Sequence, residues 1–231
     1  MNGTRLPGKP LIEIAGKPML LRVWEKCLSV VDSKYIYVAT EDKIIEDFCF
    51  SHNINCVNTG PAPTAIDRIK LFSDIVQAQS YINVQGDEPI INANDIKTII
   101  NYTTMHPKRV VFGKCTASQE IYFDHTKAKV VCCPDGKLLY YSRAPIPMST
   151  NGKFHSCEKA VWIYGFYKEA LEAYYKGYKS TFLDKIEGNE IIRFLELGID
   201  VFCTNVLGNS WAVDVKNDIK VVEKIINLEK K

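Results

Sequence analysis

The stretch Met19-Leu-Leu-Arg-Val-Trp-Glu-Lys-Cys-Leu-Ser-Val-Val-Asp-Ser-Lys-Tyr-Ile-Tyr-Val-Ala-Thr40 decides the fold class. Leu20, Leu21, Trp24, Cys27, Leu28 and Val31 recur at helical spacing, and Tyr35–Thr40 is a short apolar run rich in strand formers. The pattern repeats: Ile44, Ile45, Phe48 and Cys49 mark a helix, 55–58 a strand, Ile66, Ile69, Phe72, Ile75 and Val76 a third helix, and Tyr81-Ile-Asn-Val-Gln85 a strand. Helices alternating with short apolar strands predict an α/β fold built on a doubly wound, mostly parallel sheet covered on both faces. Such sheets bind ligands at the carboxyl ends of their strands.

Beyond a helix at about 94–105 and a strand at 109–116, the texture changes. The runs 127–133 and 137–142 flank Pro134-Asp135-Gly136, a hairpin signal. A strand at 161–166, helices at about 168–176 and 187–197, the latter stopped by Gly198, a strand at 201–206 and a helix from about 216 follow. No linker composition separates these pieces, so residues 1–231 are expected to form one domain, with about 117–166 inserted into it.

A formal charge of +2 argues against a nucleic-acid duplex as partner, which calls for a strong basic stripe. No apolar run reaches the roughly 18 residues of a membrane span, and the N-terminus lacks an apolar signal core, so the expectation is a cytoplasmic protein without a membrane partner. The eight cysteines and four histidines have no zinc-ligand spacing, and adjacent Cys132 and Cys133 point to opposite faces of a strand.

Chemistry concentrates at two points. In Asn2-Gly-Thr-Arg-Leu-Pro-Gly-Lys-Pro-Leu11, Gly3 and Gly8 permit close backbone approach while Arg5 and Lys9 carry positive charge, which suits a polyphosphate. It is not the Walker pattern, and a basic surface turn explains it equally well. In Val84-Gln-Gly-Asp-Glu-Pro89, Asp87 follows a buried strand at its carboxyl end, where a carboxylate can hold a hard cation such as magnesium. Asp214 is the candidate second carboxylate; the competing use of an Asp there is to cap the last helix.

Taken in order, Thr4-Arg-Leu-Pro-Gly-Lys-Pro-Leu11, Gly16-Lys-Pro-Met19, Val38-Ala-Thr40, Val84-Gln-Gly-Asp-Glu-Pro89, Tyr141-Ser-Arg-Ala-Pro-Ile-Pro147, Ile163-Tyr-Gly165 and Val213-Asp214 resemble the CMP-Kdo synthetases, cytidylyltransferases that activate the sugar acid 3-deoxy-manno-octulosonate (Kdo). The resemblance implies the nucleotide-diphospho-sugar transferase form of the Rossmann-like fold. It also implies a Mg2+-dependent reaction of CTP with a 3-deoxy-2-ulosonic acid that releases pyrophosphate, and a homodimer formed partly through the hairpin insertion. Arg5 and Lys9, with Gly3 and Gly8, would hold the triphosphate, and Asp87 and Asp214 the metal. Gln85, Arg143 and Tyr164 would face the sugar, with Glu187 and Glu190 on the following helix and Asp67 and Arg68 near the nucleotide. An exposed ion-pair face explains Glu187, Glu190 and Arg193 at least as well.

Three departures accompany the match. The family begins with a strand ending in Pro-Ala-Arg, and Met1 falls just after that arginine's position, so a chain extended upstream by this strand is expected to be more stable and more active. Ala65 replaces a glycine in Pro63-Thr-Ala-Ile-Asp-Arg68. Ala160 stands where the family has a histidine, beside Val161 and Trp162 in place of smaller residues, which points toward a variant sugar acid. An inactive homologue serving as a binding module, or a transferase using another nucleotide or sugar acid, are the alternatives.

Overall fold

The computed structural model describes residues 8–176 and 181–229. A 3-10 turn at Lys9–Leu11 leads into the two-residue strands β1 (Glu13–Ile14) and β2 (Lys17–Pro18), then α1 (Met19–Leu28), β3 (Val38–Thr40), α2 (Lys43–Ser51), β4 (Cys56–Asn58), α3 (Ala65–Ile75), β5 (Ser80–Val84) and α4 (Ala93–Met105). There follow β6 (Val110–Ala117), α5 (Gln119–Phe123), the hairpin β7 (Lys129–Cys132) and β8 (Leu138–Ser142), and the long strand β9 (Cys157–Tyr167). The chain ends with α6 (Lys168–Lys176), α7 (Phe182–Glu187), α8 (Ile191–Glu196), β10 (Val201–Asn205) and α9 (Lys216–Glu229).

The α/β alternation read from 19–85 is present, and the main sheet is mixed. In it β10 pairs β6 in parallel, whereas β9 runs antiparallel to β5, β6 and β7; β3 and β4 pair in parallel as a separate two-stranded sheet. β8 and β9 both run antiparallel to β7, so the connection over 143–156 brings the chain back to run in the direction of β8. One edge of β9 is shared, with Ile163–Tyr167 against β5 and Lys159 and Glu158 against β7. The sheet therefore parts where β5 ends and β7 has not begun.

Both faces are covered. Phe112, Tyr164, Phe166, Tyr174, Ile192 and Phe194 pack on the face toward α3, α6 and α8, while Val111, Ile163, Ile96 and Ile99 pack beneath α4. Gly165 permits the second contact, because a Cβ there would collide with Thr103 Oγ1 and come within 2.8 Å of Val111. On the first face Arg193 is buried, its guanidinium bonded to Asp184 at 2.8 Å and lying 4.3 Å over Tyr174.

The single helix expected over 187–197 is two. Gly188 takes the left-handed conformation (φ 64°) and donates to Asp184 O, which closes α7, and the Asn189 side chain then accepts the Ile191 N–H to start α8. Glu187 is thereby cut off from α8, and Arg193 of α8 is buried and paired with Asp184, so the exposed ion-pair face of Glu187, Glu190 and Arg193 does not form. No helix among the described residues is long and apolar enough to cross a membrane.

Gly165→Ala is expected to lower stability by about 1–3 kcal/mol, the cost of overpacking a filled core. An unchanged urea midpoint would show that α4 does not need this close approach.

Candidate active site

The carboxyl end of β5 runs into a turn in which Glu88 N–H donates to Gln85 O, presenting Asp87 at the sheet edge. Far along the chain, Val213 N–H donates to Asp87 O at 2.9 Å and carries Asp214 to the same place. Gly8, left-handed at φ 66°, turns the backbone into the 3-10 segment so that Lys9 points inward. Lys9 Nζ donates to Asp87 Oδ2 at 2.8 Å and to Asp214 Oδ1 at 2.9 Å. Burial pulls the ammonium down, but the charges and hydrogen bonds of Asp87 and Asp214 outweigh it and hold Lys9 above its ordinary pKa.

Asp214 does not cap α9. Asp218 does so, its Oδ2 accepting the Asp214 and Val215 N–H groups at 2.8 and 2.9 Å and its Oδ1 the Trp211 Nε1–H. Burial raises the Asp218 carboxyl; these donors outweigh that and keep it below the usual range. Asp218 was invisible in the sequence because its partners lie three, four and seven residues upstream in an irregular loop. Its effect is to leave the Asp214 carboxylate free for Lys9.

A second group of side chains lines the face of the sheet that carries Tyr164. Glu187 accepts from Arg143 N–H at 3.1 Å and from Tyr140 OH at 3.2 Å, and the Arg143 guanidinium donates to the carbonyls of Glu187 and Thr126. Among the described residues Arg143 has no carboxylate ion-pair partner; its guanidinium bonds only backbone carbonyls. Tyr164 is buried, its phenol pushed well up by burial, with Glu190 and the Asn189 side chain nearby. Glu190 accepts from Ala65 N–H at 3.2 Å and so ties α8 to the start of α3. There Thr64 and Asp67 bond reciprocally as a helix cap, while Arg68 reaches Thr59, Gly60 and Glu41 at the ends of β3 and β4. Gly3 and Arg5 lie outside the described residues.

A model of the cytidylyltransferase family matches residues 1–201. The 3-deoxy-manno-octulosonate cytidylyltransferase of Escherichia coli is 30% identical over 99% of this chain and 93% of its own length. The chain belongs to the cytidylyltransferase family. The protein of the same name from Chlamydia pneumoniae is 31% identical over 97% of this chain and 90% of its own. A solved CMP:2-keto-3-deoxy-manno-octonic acid synthetase complexed with CTP superposes with a TM-score of 0.92 at 29% identity, covering 98% of this chain and 94% of the other. HddC from Yersinia pseudotuberculosis (TM-score 0.70, 14% identity, 96% and 94% covered) shares the fold alone.

Within this cytidylyltransferase, sequence reading passed over Glu88, whose neighbour Asp87 drew the attention. Glu88 is 5% exposed and its Oε2 is buried without a hydrogen-bond partner among the described residues. Burial pushes its carboxyl up to about 7, against the opposing pull of Ser210 and of the Lys159 and Lys127 charges. A carboxyl raised in the folded state is protonated there while the unfolded chain has already ionised, so the folded state loses stability as pH climbs from about 4.5 to 7, by up to about 3 kcal/mol. Glu88→Gln removes that penalty. Urea unfolding is expected to find the variant equal to the parent at pH 4 and more stable at pH 8; equal stability at both would mean the Glu88 pKa is not raised.

Proposed function

We propose that this cytidylyltransferase transfers CMP from CTP to the anomeric hydroxyl of 3-deoxy-manno-octulosonate or a modified relative, releasing pyrophosphate. The observation that carries the reading is the meeting of Lys9, Asp87 and Asp214 at the carboxyl end of β5. In the reaction the anomeric hydroxyl oxygen bonds to the α-phosphorus and gives up its proton to water, the bond to the oxygen bridging the α- and β-phosphates breaks, and that oxygen leaves with the pyrophosphate. Negative charge builds on the phosphate oxygens, and fixed positive charge at that point lowers the barrier.

Asp87 and Asp214 are the residues to hold Mg2+. They already hold a cation, the Lys9 ammonium, between oxygen donors, and two carboxylates plus substrate phosphates form a usual magnesium environment. Bound there, the ion supplies charge neutralisation at the phosphates. Lys9 and Arg5, with Gly3 and Gly8, would bind the triphosphate, the Lys9 charge serving the phosphates if Asp87 and Asp214 hold the ion. Asp67 and Arg68 shape the nucleotide side by joining α3 to the ends of β3 and β4. Gln85, Arg143 and Tyr164 form the acceptor side, with Arg143 offering a planar fork to the sugar carboxylate and Glu187 and Glu190 fixing the hairpin and α3 around it. Both substrates are small, charged and water-soluble, consistent with work in the cytoplasm.

Residues 1–231 act as one nucleotidyltransferase unit, and about 117–166 serve sugar binding and dimerisation. Phe123, Leu139 and Met148 in that stretch are 49, 56 and 59% exposed, apolar surface that a second copy of the chain would cover.

Pyrophosphate release is expected with CTP and 3-deoxy-manno-octulosonate in the presence of Mg2+, and far less with UTP, GTP or ATP. Asp87→Ala is expected to lower turnover about a hundredfold or more with the circular dichroism unchanged. An undiminished rate would remove Asp87 from the machinery, and no release with CTP and any 2-keto-3-deoxy acid would overturn the assignment.

A further inference from the structure

β9 carries an irregularity where its shared edge parts. Against β6, Phe112 pairs with Tyr164 but the next residue, Gly113, pairs with Val161, so Trp162 and Ile163 are extra residues in the ladder. On the other edge Ile163 pairs with Val84, the last residue of β5, and β7 takes up the pairing only at Lys159. Trp162 therefore sits in a bulge at the notch between β5 and β7, one residue from the pair that launches the Gln85–Asp87 turn. Bulges beside functional sites re-aim a side chain.

The indole packs on three aromatic rings. Its ring lies 6.0 Å from Tyr164 and 6.1 Å from Phe112 at interplanar angles of 25° and 26°, and 5.8 Å from Tyr141. Those three rings are buried, at 0–2% exposure, whereas Trp162 is only half-buried and ends the stack. It makes no hydrogen bond within the described residues. Ala160, on the same face of the strand and also half-buried, adds a methyl group and no hydrogen-bonding side chain.

Resting on the reading of the acceptor side proposed above, we infer that Trp162 is a specificity-determining residue whose indole face packs against the bound sugar acid. The surface it offers is flat and apolar across two strand positions. It suits an acceptor that turns C–H groups, a deoxygenated carbon or an apolar substituent toward the sheet. A hydroxyl directed there leaves water without gaining a partner, and such mismatches discriminate strongly between otherwise similar substrates.

The test titrates the full-length chain with 3-deoxy-manno-octulosonate and, separately, a nine-carbon 2-ulosonic acid, following tryptophan fluorescence, and compares kinetics of Trp162→Ala and Trp162→Phe. At least one acceptor is expected to change the fluorescence of the parent and not of Trp162→Phe, in which Trp24 and Trp211 remain. Trp162→Ala is expected to raise KM for that acceptor about tenfold with KM for CTP unchanged, and Trp162→Phe to recover most of the loss. No acceptor-dependent fluorescence change in the parent, a change that persists in Trp162→Phe, or a parallel rise in both KM values would overturn the inference. A parent chain that binds an acceptor through Trp162 but transfers no CMP would instead overturn the proposed activity and leave this contact standing.

Discussion

Two carboxylates distant in sequence meet at the end of β5, and the Lys9 ammonium lies between them, bonded to both. The bonds it makes span 78 and 205 residues of sequence, closing the N-terminal turn, the end of β5 and the approach to α9 onto one point. The Val213 N–H on Asp87 O fixes the backbone, and the Asp218 cap keeps the Asp214 side chain from being spent on its own helix.

The mixed sheet places this cluster and the aromatic face side by side. β5 delivers Asp87 at its end, and β9, running the other way along the same edge, delivers Tyr164 opposite β5 and Trp162 just past it. The hairpin meets β9 beyond that gap, and Arg143 at its close is anchored by the Glu187 and Thr126 carbonyls.

Legibility in the sequence followed the range of the interaction. Helix and strand order was readable from periodicity, and boundaries shifted by a few residues where caps decided them. The helix over 187–197 was misread because periodicity continues through Gly188 while the backbone does not. Asp87, Asp214 and Lys9 were recognised by the segments around them, yet nothing in the spacing of three residues so far apart requires them to touch. Asp218 and Glu88 escaped notice for the same reason: an aspartate's service as a cap in an irregular loop, and a glutamate's burial, are settled by what packs around them.

The amino-acid order alone determined the α/β class, the glycine turn with its cations, the acidic turn after β5 and the family to which they belong, because each is written in contiguous residues whose local preferences agree. Tertiary structure decided which carboxylate pairs with Lys9 and which serves the loop before α9, where the sheet parts, and that Trp162 is only half-buried. Those outcomes depend on long-range packing and on the energetic demand that buried charges and backbone groups find partners, a demand the whole fold meets at once.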